Sequence, residues 1–171
     1  MNRTKLFWGG KILDVKLVKA TAGDVLLLHD IQTKSFQPLM DKYLDYQTNP
    51  ANEPINRLFE KIQYSSFFKI VFEGKIVGGI RVVKKSNSYW ISPIFILPEY
   101  QGKGIAQQAI HLVEALFKDL QTWELQTILE EKGNCYLYEK IGYKRTDFEQ
   151  KVNDKMTLIG YKKCISTGEN K

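Results

Sequence analysis

The stretch "PEYQGKGIAQQAI", residues 98–110, decides how the chain is read. Gly102, Gly104 and Ala106 stand immediately before a run whose apolar residues Ala109, Leu112, Val113, Leu116 and Leu120 recur at helical spacing, so a turn feeds an amphipathic helix. Glycine admits backbone conformations and close approaches that other residues refuse. The first N–H groups of a helix lack intrahelical partners and lie at the positive end of its dipole. The junction is therefore either an anion cradle, with phosphate the obvious guest, or a plain tight turn. Two well-known phosphate loops are excluded. A Walker loop needs GxxxxGK followed by Ser or Thr, whereas Lys103 precedes Gly104 and no hydroxyl follows. A dinucleotide fingerprint needs Gly or Ala where Gln107 stands, and the preceding chain reads as hairpins rather than as the opening strand of a βαβ unit.

The 171 residues suit a single domain, 1–171, with a sizeable core, and 43% hydrophobic with 26% charged residues is ordinary globular composition. The opening MNRTKLFWGGKILDV has no apolar signal core, and no run approaches the ~20 apolar residues of a membrane span, so a cytoplasmic protein without membrane attachment is expected. Cys135 and Cys164 lack CxxC spacing and His29 and His111 stand apart, so neither a disulfide framework nor a metal site is expected. His111 falls with Gln107, Gln108, Glu114 and Lys118 on the polar side of its helix. The net charge of +6 is scattered among acids and has no basic tail, which argues against a nucleic-acid partner.

The rest of the chain supplies a mixed α/β pattern. Residues 12–20 read as a strand, and "TAGD" offers Asp24 as the cap of a helix bearing Val25, Leu28, Ile31 and Phe36 on one side. "YQTNPANEP" is a loop, with Asn52 as cap and Pro54 in the first turn of a short helix whose Ile55, Leu58, Phe59 and Ile62 share a face. Residues 67–97 hold three β-rich runs divided by Glu73-Gly74 and Ser86-Asn87-Ser88, an antiparallel meander; Gly78 and Gly79 inside it mark a bulge or a close approach, and Pro93 marks irregular hydrogen bonding. After the glycine loop and its helix come a strand around "TWELQT", a short helix "CYLYEKIG", and strands "YKRTDFEQKV" and "KMTLIGYKK" about an Asn153-Asp154 turn. A right-handed crossover through the helix from Gly104 makes its two flanking strands parallel.

These residues resemble the GNAT superfamily of N-acetyltransferases. Its acetyl-CoA motif, Gln or Arg, two residues, Gly, one residue, then Gly or Ala, is matched at Gln101, Gly104 and Ala106; further on, "NCYLYEKIGY" (134–143) is similar to a second motif in which an asparagine precedes a YEK-x-GF/Y ending. The resemblance runs from about residue 13 to 163 and implies a GNAT-type fold: a central mixed, mostly antiparallel sheet of about seven strands flanked by about four helices. It implies acetyl-CoA as cosubstrate. With Gln101 opening the cofactor-binding motif, the backbone amides of Gly102, Lys103, Gly104, Ile105, Ala106 and Gln107 would cradle its pyrophosphate, an arrangement that the orphan donors of a helix start make physically sound. The pantetheine arm would lie along Ile94, Phe95 and Ile96, where the strand before the loop splays from its neighbour. There a backbone N–H would steady the oxyanion. By the same resemblance Tyr138 protonates the departing thiolate, which suits a phenol whose ordinary pKa is near 10. Asn134, four residues earlier and on the same helix side, would bond the pantetheine or cap the helix, while Leu137 and Ile141 form the buried pair and Gly142 closes the C-terminus. Relatives often place more residues between the asparagine and the tyrosine.

The implied reaction is direct acetyl transfer to a primary amine, without a metal; the base is Glu124, Glu99 or a water relay. The acceptor side falls between residues 24 and 66, where Asp41, Tyr43, Asp45 and Tyr46 either floor a pocket for a cationic amine or belong to a solvated helix-loop-helix. A small amine is expected over a peptide, with a monomer or homodimer as the assembly and an acetyl or longer acyl donor both open. The alternative function is a CoA-binding sensor or interaction module that keeps the fold without turnover.

Overall fold

The computed structural model describes residues 7–8 and 11–166, with side chains from residue 13 onward. Among them the strands are β1 (Phe7–Trp8), β2 (Lys11–Ile12), β3 (Val15–Lys19), β4 (Ser66–Phe72), β5 (Lys75–Lys84), β6 (Tyr89–Ile96), β7 (Thr122–Ile128), β8 (Lys144–Asn153) and β9 (Met156–Cys164). The helices are α1 (Val25–Tyr43), α2 (Ile55–Tyr64), α3 (Ile105–Leu116) and α4 (Lys132–Lys140). β1 and β2 form a separate ribbon; the other seven strands are ordered β3-β4-β5-β6-β7-β9-β8, so the mixed α/β class with seven strands and four helices agrees with expectation. β6 and β7 are parallel, as a crossover through α3 requires, whereas β3–β4, β7–β9 and β8–β9 are antiparallel. The expected first strand of residues 12–20 is shorter: Ile12 belongs to β2 and the strand proper begins at Val15.

The chain divides into two compact units, Met1–Arg81 with Pro93–Leu116 and Val82–Ser92 with Phe117–Lys171. In the first, α1 buries Val25, Leu28 and Ile31 against Leu58 and Ile62 of α2, Phe67 of β4 and Phe95 of β6. The Phe95 ring lies 5.9 Å from that of Phe36 and 6.3 Å from that of Phe67, an aromatic centre in which each ring buried from water contributes about 1.5–3 kcal/mol. β4 and β5 are joined by Glu73 (φ 48°) and Gly74 (φ 78°), the double positive φ of a two-residue turn whose twist matches its strands. Gln32 donates to Pro50 O (3.0 Å) and Glu53 Oε2 (2.8 Å), and Lys61 bridges Glu53 (2.5 Å), which ties the loop after α1 to both helices.

Several local expectations are corrected here. Asp24 stands at the cap position of α1, as expected, but its side chain does not bond the helix: its carboxylate accepts from Thr21 N (2.8 Å) and Lys69 Nζ (2.9 Å), closing the preceding 3-10 turn instead and lying below the usual carboxylate range despite burial, because these donors favour its charged form. Asn49 rather than Asn52 caps the turn Pro50–Asn52, accepting from Ala51 N, and Pro54 occupies the cap position of α2. Only Leu58 and Ile62 of α2 are buried; Ile55 and Phe59 are exposed. On α3, Gln108 is buried although it was assigned to the polar side, while Leu116 is exposed. α1 runs through Pro38, which forfeits one backbone bond, and stops at Leu44 in the left-handed conformation (φ 56°).

The second unit packs Tyr89, Phe117 and Trp123 as an aromatic stack, Tyr89 and Trp123 with centroids 4.9 Å apart, and Tyr143, Tyr161 and Leu125 beside α4. In β8 a bulge between Arg145 and Glu149 lets Thr146 and Phe148 close over Gly160, where a built Cβ would lie 2.5 Å from Thr146 Oγ1.

Candidate active site

In the first unit, β6 ends in a 3-10 turn, Pro98–Tyr100, closed by Tyr100 N to Leu97 O (2.9 Å) and Gln101 N to Pro98 O (3.2 Å). Gln101 then turns its amide back and donates from Nε2 to Ile96 O at 2.8 Å, so this side chain holds the loop on the strand that precedes it. Gly102 and Gly104 have φ of 72° and 80°. A Cβ built on Gly102 meets nothing within 4 Å, so glycine is required there by backbone conformation and not by crowding. α3 starts at Ile105, which is buried, and its first bond runs from Gln108 N to Gly104 O; the N–H groups of Ile105, Ala106 and Gln107 are thus the orphan donors of its first turn. Lys103 is exposed, with its ammonium 5.3 Å from the Tyr100 ring centroid. An exposed loop with two left-handed glycines, a helix start and a lysine is chemically suited to an anion.

Of the strand residues, Ile94 is half-buried and Phe95 and Ile96 are buried. The Phe95 side chain belongs to the core, and its carbonyl turns toward β5: a Cβ built on Gly78 would lie 2.1 Å from Phe95 O. Leu97 N donates to Val77 O at 2.8 Å. The parallel register of β6 with β7 is two pairs long, Tyr89↔Trp123 and Trp90↔Glu124, and Pro93 follows it with no N–H to offer a ladder.

The second unit holds α4. It begins at Lys132 with Glu131 at the cap position, so Asn134 lies exposed in the first turn and does not cap the helix. Nor does Asn134 share the buried face: Cys135 and Tyr138 do, with Ile141 beyond them, and Leu137 is only half-buried. Tyr143 N donates to Tyr138 O (3.0 Å) and Gly142 N to Glu139 O (3.1 Å), with Gly142 at φ 97°; this is the Schellman closure, and its accompanying apolar contact is Tyr143 edge-on to Tyr138, centroids 6.2 Å apart. The "YEKIGY" sequence therefore locks the helix end that carries Tyr138. Tyr161 of β9 flanks the same ring at 5.9 Å and donates from its hydroxyl to Glu139 Oε1 at 2.8 Å.

Tyr138 is 6% exposed, and burial, with Cys135 beside it, pushes its pKa up to about 12. Burial, reinforced by Glu139 and Cys135, raises that of Tyr161 as well. The phenol is thus protonated across the neutral range. An unfolded tyrosine ionises near 10, so the unfolded state loses protons first as pH climbs; stability is unaffected below about pH 10 and falls between 10 and 12. Unfolding free energies from urea titration are expected to drop from pH 9 to pH 11, and Tyr138→Phe is expected to shrink that drop by about 1 kcal/mol.

Of the expected bases, Glu124 on β7 is half-buried and accepts from Ser88 Oγ at 2.6 Å, while Glu99 is exposed in the 3-10 turn. The four acceptor-side residues are put to different uses: Tyr43 is buried, Asp45 accepts from Thr48 N (3.0 Å) and Thr48 Oγ1 (2.5 Å), Asp41 accepts from Gln37 Nε2 (2.8 Å), and Tyr46 is exposed. Ile94 to Ile96 and Gln101 to Gln107 lie in the first unit, Asn134, Tyr138 and Glu124 in the second. Sequence reasoning passed over Tyr161 and Glu139; the alternation of β9 marks Tyr161 as inward-facing but carries no sign of which helix side chain it meets.

Among the described residues no cluster of three or more His, Cys, Asp or Glu is arranged to hold a metal ion, and no helix is long and apolar enough to cross a membrane. A model of the acetyltransferase (GNAT) family matches residues 29–143. No curated protein matches the chain. Among solved structures, a PaiA N-acetyltransferase from Thermoplasma acidophilum in complex with coenzyme A is similar with a TM-score of 0.69 and 16% identity, over 88% of this chain and 99% of its own. The ribosomal-protein-S18-alanine N-acetyltransferase from Escherichia coli gives 0.69 and 16%, over 92% of this chain and 98% of its own. A spermidine N-acetyltransferase chimera from Vibrio cholerae and hSSAT gives 0.68 and 18%, over 88% and 95%. Identities this low establish the shared fold alone.

Proposed function

The chain belongs to the acetyltransferase (GNAT) family, and from that premise we propose that it is an N-acetyltransferase transferring the acetyl group of acetyl-CoA to the primary amine of a small molecule. The observation that carries the reading is the loop from Gln101 to Gln107: two left-handed glycines lead into a helix start whose first-turn N–H groups lack intrahelical partners, with Lys103 exposed beside them, a combination suited to a pyrophosphate. Acetyl-CoA supplies an activated thioester, so the protein need only bind, orient and manage protons. In this reading residues 1–171 act as one domain, to which β5 and β6 each contribute residues of both compact units.

The roles divide as follows. Gln101 keeps the loop in place through Ile96 O, while the backbone of Gly102 to Gln107 holds the anionic end of the donor. Ile94 to Ile96 line the path of the arm, with Asn134 as a further polar contact. Tyr138 gives its hydroxyl proton to the sulfur as the carbon–sulfur bond breaks, and the attacking amine surrenders its own proton to a base, for which Glu124 with its Ser88 hydrogen bond is the first candidate. The coenzyme A complex of the Thermoplasma enzyme supports the donor. Neighbours that act on spermidine and on a ribosomal protein show that this fold serves acceptors of either kind, and a small amine is the acceptor we propose here. Two unpaired thiols, Cys135 and Cys164, suit a reducing cytoplasm.

Calorimetric titration with acetyl-CoA tests the reading. Wild type is expected to bind in the micromolar range and Gly104→Val at least roughly 100-fold more weakly, because a β-branched residue both resists φ of 80° and fills the cradle. Absence of binding by folded wild-type protein would sink the proposal. Binding without thiol release in the presence of spermidine or of an alanine-starting peptide would favour the sensor.

A further inference from the structure

Resting on the reading of Tyr138 as proton donor, we propose that Tyr161 and Glu139 are positioning residues that fix where the Tyr138 hydroxyl points. The Schellman closure sets the backbone of Tyr138 but leaves its side-chain torsions open. Those are set by two rings, Tyr143 edge-on at 6.2 Å and Tyr161 tilted by 48° at 5.9 Å. Tyr143 belongs to the helix end itself. Tyr161 comes from β9, far off in sequence, and an anchored ring there turns a packing contact into a stop.

The anchor is visible. Tyr161 is 2% exposed and pairs with Leu125 of β7 on one side and Arg145 of β8 on the other, in the middle of a three-strand segment. Its hydroxyl donates to Glu139 Oε1 at 2.8 Å, on the residue next to Tyr138, so β9 grips α4 at the turn that carries the donor. Glu139 is itself exposed. Its bond to the buried phenol lies on the residue next to Tyr138, and Cys135, on the same buried face of α4, lies against that phenol as well. The Tyr138 hydroxyl has no hydrogen-bond partner among the described residues, so its direction follows from the packing of the ring against Tyr143 and Tyr161. Orientation errors of about 1 Å in a reacting group cost roughly 100-fold in rate.

The test is a double-mutant cycle read as thiol release from acetyl-CoA, with spermidine as probe acceptor or water where spermidine adds nothing. Tyr161→Phe keeps the ring and removes the bond; Glu139→Ala removes it from the exposed side without touching the core. Both are expected to lower kcat about 10-fold with KM for acetyl-CoA within twofold, while Glu139→Gln, which still accepts through Oε1, stays within twofold of wild type. In a Tyr138→Phe background, Tyr161→Phe is expected to cost nothing further. Full kcat in Glu139→Ala, or an undiminished effect of Tyr161→Phe in the Tyr138→Phe background, overturns the clamp and leaves the donor assignment standing. A Tyr138→Phe enzyme as fast as wild type overturns both, and absence of any protein-dependent thiol release overturns the acetyltransferase reading with them.

Discussion

Tyr138→Phe is expected to lower kcat for acetyl transfer by roughly 100- to 1,000-fold and to leave affinity for acetyl-CoA nearly unchanged. Phenylalanine retains the ring that Tyr143 and Tyr161 grip, so the fold of α4 is preserved and the missing atom is the hydroxyl. With its pKa pushed up to about 12, Tyr138 stays protonated through the neutral range. Complete transfer to a free thiolate, of ordinary pKa about 8.5, would be uphill by about 5 kcal/mol, so under the proposed assignment the proton would move while charge builds on sulfur rather than afterwards. The loss is therefore that of a strong, dry hydrogen bond in the transition state. A poorer leaving thiol, harder to expel, should be hurt more by the substitution; steady-state rates with acetyl donors of differing thiol pKa measure this, and equal losses across the series would contradict the assignment.

Gly78→Ala is expected to destabilise the protein by about 3 kcal/mol or more, lowering Tm by roughly 6–12 °C. A methyl group there would stand 2.1 Å from Phe95 O and 3.0 Å from Ile96 Cδ1. The first obstacle is backbone, so no rotamer change relieves it. β5 and β6 must part, breaking the bond from Leu97 N to Val77 O and unseating Phe95 from the aromatic centre. Gly79 is nearly as confined, its built Cβ 2.5 Å from Phe95 Cζ, although a ring can swing where a carbonyl cannot. Gly133→Ala makes the contrast: on helix α4, with nothing within 4 Å of the new methyl, it should raise stability by up to about 1 kcal/mol. Urea unfolding of the three proteins decides the matter, and a Gly78→Ala midpoint equal to wild type would show that β5 has room.

Where sequence reasoning held, it rested on local physics. The glycine loop, the α3 crossover with its parallel strands, the Glu73-Gly74 turn and the C-terminal hairpin each depend on turn chemistry or periodicity within about ten residues. The mid-strand glycines were legible as a bulge or a close approach, and it is the approach of Phe95 O that occurs at Gly78. Caps were less legible because several Asx residues compete within one turn: Asp24 turns back to Thr21 and Lys69, and Asn49 captures Ala51 ahead of Asn52. Helical faces drifted where amphipathic stripes are broad, so Phe59 and Leu116 face water while Gln108 is buried.

The order of elements, the crossover and the pair of motifs about Gly104 and Tyr138 follow from residue pattern, since backbone conformation and hydrophobic period are properties of short segments. The surroundings of the candidate donor are not. That Tyr161 of β9 lies against Tyr138 and that Glu139 holds Tyr161 depend on which distant side chains the folded chain brings together. The raised pKa of Tyr138 is likewise a property of its burial, and burial exists only once strands and helices distant in sequence have packed around it.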